Sequence, residues 1–232
     1  MSELQISKEN GPAVILALIR AAPEDEAPLM ILDLMEDWRD ELIPLFQSET
    51  DRALELSRNG ELQENGDWKV PGFGLAFLSE WKAPGTHQRL LEVHKMNDAD
   101  RDWLIADSLT EDWPQLLAAT FEGDLQPITQ VVLDQSLDEF ARAMPVEAVA
   151  ALTYHGTLPQ EKAESWFASL FEQMEREPCY VWDKLVSVVA DLRMTTLLPK
   201  ISQAFKGHLC DEDYGWSLAD LKNVMAGRNP WE

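Results

Sequence analysis

Apolar residues along this chain recur three and four positions apart almost from end to end, the spacing of one buried face on a helix. Val14, Ile15, Leu18 and Ile19 form the first such stripe, over 13–20. Glu24, Asp25 and Glu26 follow, acidic residues suited to a helix N-terminus, and a second stripe runs through Leu32, Met35 and Trp38. Together these predict an N-terminal helical hairpin over 1–47. Phe73, Phe77, Leu78 and Trp81 make a later stripe, Pro84-Gly85 breaks it, and His87, Leu90, Leu91 and His94 make the next. The cleanest pattern is Ala163, Trp166, Phe167, Leu170, Phe171 and Met174, with Val181, Leu185, Val188, Val189 and Leu192 after it. Period-two alternation, the mark of a strand, is missing throughout. The expected class is all-α.

Capping residues set the expected helix ends. Thr110 offers an N-cap to a helix holding Leu116, Leu117 and Phe121. Ser136-Leu137-Asp138-Glu139 and Thr157-Leu158-Pro159-Gln160 both read as capping boxes, and Ser217 opens a last helix. Pro145 would cost an uninterrupted helix about 3 kcal/mol, so a kink or a fresh start is expected there. Between the hairpin and Pro71 the chain is charged and holds Asn59-Gly60 and Asn65-Gly66. This predicts a polar loop or insertion over 48–70, ahead of a helical array over 71–232 that is continuous with the hairpin.

Within that array one pattern occurs twice. Thr157-Leu158-Pro159 and Thr196-Leu197-Leu198-Pro199 each join two apolar helices, and their prolines lie 199 − 159 = 40 residues apart. The same offset carries Val146 onto Val186, Val149 onto Val189, Ala150 onto Ala190 and Leu152 onto Leu192. A two-helix unit near 40 residues is the length of a HEAT-type repeat. The expected architecture is an α-α superhelix, a HEAT- or armadillo-like array of antiparallel helical pairs. Ala150 and Ala190 are then expected to be equivalent, buried positions.

Composition narrows the functional classes. Asp and Glu number 42 against 19 Lys and Arg, a formal charge of −23. No cluster of Lys and Arg offers itself to phosphate, so neither nucleic acid nor an anionic membrane is an expected partner. No apolar run reaches the ~18 residues of a bilayer span. The start, Met1-Ser2-Glu3-Leu4-Gln5, does not read as a secretory signal. Cys179 and Cys210 are too few for a disulfide framework, which points to the cytoplasm.

Chemical motifs are sparse. His87 and His94 are about 10 Å apart along a helix axis, too far to share one metal ion. His208, Cys210, Asp211 and Asp213 lack paired ligand spacing, and Cys179 has no histidine nearby to act as a base. Phosphate-binding, dinucleotide and nucleophile-elbow signatures are absent, so no catalytic, cofactor or metal residue is assigned. Nine tryptophans stand out. Trp81, Trp166 and Trp182 fall on apolar stripes and read as core. Trp103, Trp113, Trp216 and Trp231 lie beside acidic residues and are candidate partner contacts.

Asp138, Ala141, Arg142, Ala148 and Val149 follow the HEAT pattern, with Pro145 where alanine is usual. Phe77-Leu78-Ser79-Glu80-Trp81, the run from Asp107 to Leu117, Phe121-Glu122-Gly123-Asp124 and the stretch from Arg142 to Gly156 resemble a bacterial family, domain of unknown function 1186. The resemblance covers roughly Pro71 to Ala226 and implies a cytoplasmic HEAT-like array with no established reaction. Some members carry a cysteine-rich, zinc-binding SEC-C tail. Met225 to Glu232 holds no cysteine, so that tail is not expected here.

The first expectation is a protein-interaction scaffold, not an enzyme, whose acidic surface takes a partner with a basic surface. An enzyme or small-ligand binder with a pocket between helical pairs is the alternative, using carboxylates such as Asp98, Asp100 and Asp102. An acidic mimic of nucleic acid is the third.

Overall fold

The computed structural model describes residues 10–22, 32–106, 108–211 and 215–228, and every regular element among them is a helix. The expected all-α class is what the chain adopts. No described helix is long and apolar enough to cross a membrane. The contacts divide the chain into two compact units, Met1–Ala106 and Asp107–Glu232.

The first unit holds α1 (Gly11–Ala21), α2 (Leu32–Asp37), α3 (Arg39–Arg58), α4 (Leu62–Asn65), α5 (Lys69–Glu80), α6 (Thr86–His94) and α7 (Asp98–Ile105). α3 is its spine and packs along α5. Ile15, Ile19, Met35, Leu42, Phe46, Val70 and Leu78 form the core between them. Phe46 stacks on both Phe77 and Trp81, with centroids 6.3 and 6.2 Å away. The 20-residue α3 overturns the expected boundary at 47/48 and the polar loop over 48–70. Its charged residues are the solvated face of an amphipathic helix. Thr50, Ala53, Leu54 and Ser57 are the buried face.

Close approach of α3 to α5 depends on Gly74. A Cβ built there would stand 2.9 Å from Cδ1 of the Phe46 ring and 3.0 Å from its Cβ and Cγ. Phe46 is fully buried and has no room to retreat. We therefore expect Gly74→Ala to destabilise the protein by about 1–3 kcal/mol, the overpacking cost exceeding alanine's gain in helix propensity. Urea unfolding checks this. A variant as stable as the parent would show that the two helices separate freely.

The second unit holds α8 (Ser108–Glu111), α9 (Trp113–Ala119), α10 (Gln126–Leu133), α11 (Glu139–Tyr154), α12 (Gln160–Gln173), α13 (Tyr180–Asp191), α14 (Leu198–Lys206) and α15 (Leu218–Met225). α11 is its centre and packs on α13 to one side and α9 to the other. It runs through Pro145 as one helix, so no fresh start occurs there. Asp138, not Ser136, caps it by accepting from the Phe140 and Ala141 amides; Ser136 turns back onto Asp134. Asp112 occupies the N-cap expected of Thr110. Before α12 the Thr157 amide bonds to the Leu152 carbonyl, so Thr157 ends α11 instead of capping α12. Ser217 does open α15 as expected, and it forms a capping box with Asp220.

The two helical pairs α11–α12 and α13–α14 recur, on a shorter period than the prolines suggest. α11 ends with Gly156 at φ +73° and a Thr157 N–H to Leu152 bond; α13 ends with Arg193 at φ +53° and a Met194 N–H to Val189 bond. Both are Schellman closures, and they lie 193 − 156 = 37 residues apart. On the second helices, buried Ala163 and Phe167 match buried Ile201 and Phe205 at an offset of 38. Ala190 is buried as expected, but Ala150 is only half-buried and corresponds to half-buried Ser187.

Candidate functional site

In the second unit the start of α13 faces the start of α11, and the chain on either side of 212–214 lies against both. Glu139 and Phe140 come from the first turn of α11, Cys179, Tyr180 and Asp183 from the start of α13, and Leu209 and Asp211 from the segment after α14. These line a cleft of about 390 Å³. A second recess of about 170 Å³ shares Tyr180 and Asp183 and adds Lys184, Ser187, Gly215 and Trp216. Carboxylates and aromatic rings meet in one place.

Local bonding builds the cleft. The Glu139 carboxylate accepts the Tyr180 N–H, joining the N-termini of α11 and α13. Asp183 accepts the Asp211 N–H at 2.9 Å and so holds the segment after α14 to α13. Phe140 packs on Tyr180 with centroids 4.6 Å apart, yet stays 39% exposed, one of few large apolar side chains to do so. Lys184 lies 5.8 Å over the Tyr180 ring and pairs with Glu147 at 2.6 Å.

The electrostatics are unbalanced. Burial, with the charges of Asp211 and Glu139 adding to it, pushes the Asp183 carboxyl up to about 6, although the Asp211 amide works the other way. Burial likewise raises Asp191. Burial pulls Lys184 down, but the hydrogen bond and charge of Glu147 together with Tyr180 outweigh it and hold Lys184 above its ordinary value, so its charge is already spoken for. Among the described residues no cation pairs with Asp183 or Glu139. By contrast a recess in the first unit, about 310 Å³, holds two matched pairs, Arg89–Asp51 and Arg58–Glu92.

Asp183 therefore costs the fold stability when ionised, which is directly testable. Its carboxyl ionises near 3.8 in a solvated chain and near 6 here. Between those values the folded state holds the extra proton, so stability falls as pH rises and the whole cost is present at pH 7. Two pKa units would be roughly 3 kcal/mol, and partial solvent access reduces that to about 1–2 kcal/mol. Asp183→Asn keeps an acceptor for the Asp211 amide and should be more stable than the parent by that amount at pH 7. At pH 3, below the unfolded value, the two proteins should unfold at the same urea concentration. Equal stability at pH 7 would show that Asp183 is not electrostatically frustrated.

The candidate residues read from sequence meet varied fates. Trp216 is half-buried in the smaller recess, beside Asp183. Trp103 is half-buried on α7. Trp113 is a correction: at 2% exposure it belongs to the core under α9 and offers no face to a partner. Its acidic neighbours Glu111 and Asp112 are exposed while the indole turns inward. Trp231 lies outside the described residues. His87 and His94 are both buried on α6. His208 is the left-handed residue, φ +54°, that closes α14, and Cys210 follows it half-buried. Burial pushes the Cys179 thiol up, away from the thiolate a nucleophile needs. Among the described residues no three or more His, Cys, Asp or Glu side chains are placed to hold a metal ion.

Asp98, Asp100 and Asp102 do not converge either. Asp98 pairs with Arg101, and Asp102 is exposed. Asp100 is buried and accepts from Ser57, Asn97 and Gln63, tying α7 to α3 and α4. Sequence reasoning missed Glu139, Phe140, Tyr180 and Asp183. The available signal was Asp183, a carboxylate set between Val181-Trp182 and Leu185-Val186 on an apolar stripe.

A family model described as "Protein of unknown function (DUF1186)" matches residues 58–225, which include every residue of the cleft. The chain belongs to the DUF1186 family. Relatives of this DUF1186 chain include uncharacterized proteins of Chlamydia trachomatis serovar D and Chlamydia muridarum. They are 27% and 25% identical over 123 residues, 53% of this chain. The chain spans about half the length of these relatives, 48% and 49%. No solved structure matches it.

Proposed function

We propose that this DUF1186 chain is a protein-interaction module that captures a basic segment of a partner, and that the cleft between α11 and α13 is where it does so. The observation that carries the reading is the meeting of Glu139, Asp183 and Asp211 with Phe140, Tyr180 and Trp216, where the neighbouring Lys184 is paired with Glu147 and not with Asp183. The net charge of −23 supports it, because such a field draws positively charged partners in and repels nucleic acid and anionic membrane. Recurring pairs α11–α12 and α13–α14 fit a HEAT-like array, an architecture that presents surfaces for binding. Free thiols at Cys179 and Cys210 fit a cytoplasmic setting.

The test is the association rate of an immobilised oligo-arginine peptide with the full chain, at low and at high salt. Charges separated by more than about 8 Å are screened at physiological ionic strength, so a steered encounter slows as salt rises. Association that is fast at low salt and slower at high salt supports the reading. Absence of binding at low salt refutes it.

A further inference from the structure

We infer that the cleft is built to take a single arginine side chain of the partner, its guanidinium on the Asp183 carboxylate and its plane against the exposed ring of Phe140. This rests on the interaction reading above and names the chemistry that the site selects.

The argument starts from what the cleft already does with a cation. Lys184 sits over the Tyr180 ring and is closed off by Glu147, so the site pairs an ammonium with an aromatic face and a carboxylate once. The same elements are present a second time without the cation. Asp183 uses Oδ1 for the Asp211 amide, which leaves the other carboxylate oxygen to a ligand. Phe140 keeps 39% of its surface in solvent while one side rests on Tyr180. Trp216 lines the adjoining recess with Asp183.

Arginine fits better than lysine for geometric reasons. A guanidinium is flat, stacks on aromatic faces and presents several N–H donors to carboxylates, whereas an ammonium is a compact, strongly hydrated charge. The cleft offers flat rings and more than one carboxylate, Glu139 lying beside Asp183 along its wall. Its volume of about 390 Å³ reaches the lower end of the range for small-molecule sites. That is room for one long side chain and too little for a folded element.

The experiment titrates the full chain, followed by NMR, with three otherwise identical Gly/Ser-rich peptides carrying one arginine, one lysine or one citrulline. Citrulline keeps the shape and removes the charge. The arginine peptide should shift amides at Asp183, Lys184, Gly215 and Trp216 and bind at least fivefold more tightly than the lysine peptide; citrulline should leave them unmoved. Asp183→Asn, which is expected to fold more stably than the parent, should weaken arginine binding at least tenfold, and Phe140→Ala should weaken it as well. Asp124→Asn, an exposed carboxylate in a loop, should change nothing. Equal binding of the arginine and lysine peptides, an intact response in Asp183→Asn, or no response to the arginine peptide would each overturn the inference. Oligo-arginine that binds the chain but ignores Asp183→Asn would sink this site and leave standing only the capture of a basic segment, at another surface. Failure of oligo-arginine to bind would remove both.

Discussion

Phe167→Ala is expected to lose about 3–5 kcal/mol of stability, the usual cost of truncating a buried aromatic side chain. Phe167 is completely shielded from solvent in α12, with Trp166 edge-on to it at 5.1 Å and Leu170 equally buried one turn on. Its neighbour cannot slide in to fill the gap, because Trp166 Nε1 donates to Thr129 Oγ1 at 2.7 Å and is fixed to α10. The cavity would therefore persist, and the cost includes the lost contacts of its lining. Small domains are stable by only about 5–15 kcal/mol, so the variant should unfold at a much lower urea concentration. Phe167→Leu, which retains most of the volume, should cost clearly less. Parent-like stability in Phe167→Ala would mean that this stripe does not pack, and would reopen it as an exposed partner surface.

That stripe was legible from sequence because burial follows helical spacing. Ala163, Trp166, Phe167, Leu170, Phe171 and Met174 are all buried, as are Val181, Leu185, Val188 and Val189. Helix ends were less legible. Asp, Ser and Thr compete for the N-cap, and local backbone geometry decides among them, hence Asp138 for Ser136; Thr110 lies inside α8, and α9 opens after Asp112 without a side-chain cap bond. The repeat register was read from two prolines, but helix termination sets it. Gly156 and Arg193 close their helices in the same way 37 residues apart, and an arginine at φ +53° carries none of glycine's signal. Ala150 consequently faces a different neighbourhood from Ala190.

The candidate site was hidden for a different reason. Its residues come from three stretches separated by about 20 to 40 positions, and none forms a motif within its own stretch. Tryptophan beside acidic residues was the criterion, and it picked out both Trp216, which lines the smaller recess, and Trp113, which is core. What distinguishes them is placement on or off a helix. Trp113 opens α9 on the side of Pro114 and Leu117, whereas Trp216 precedes the Ser217 cap of α15.

The second large effect is expected at Arg142, which the HEAT-like pattern singled out without giving it a partner. Its side chain is only 5% exposed, and its Nη2 lies 2.7 Å from the Glu175 carboxylate. Its Nε donates to the Val132 carbonyl at the end of α10, so one guanidinium ties α10, α11 and the segment before α13 together. The Glu175 carbonyl in turn accepts from Trp182 Nε1 at 3.1 Å, fixing the approach to the cleft wall at Cys179 and Tyr180. Removing one partner leaves the other charge buried and uncompensated, which typically costs about 3–5 kcal/mol. Glu175→Ala and Arg142→Ala should each lose that much in urea unfolding at pH 7. The double variant Arg142→Met with Glu175→Leu should lose much less than the sum of the single losses, since no buried charge remains. If the single variants each lose less than about 1 kcal/mol, the pair is solvated and does not order the wall. Provided the double variant folds, its affinity for oligo-arginine separates two roles. Weaker binding at parent-like stability would assign Arg142 to positioning the cleft, and unchanged binding would confine the pair to holding α10 and α11 together.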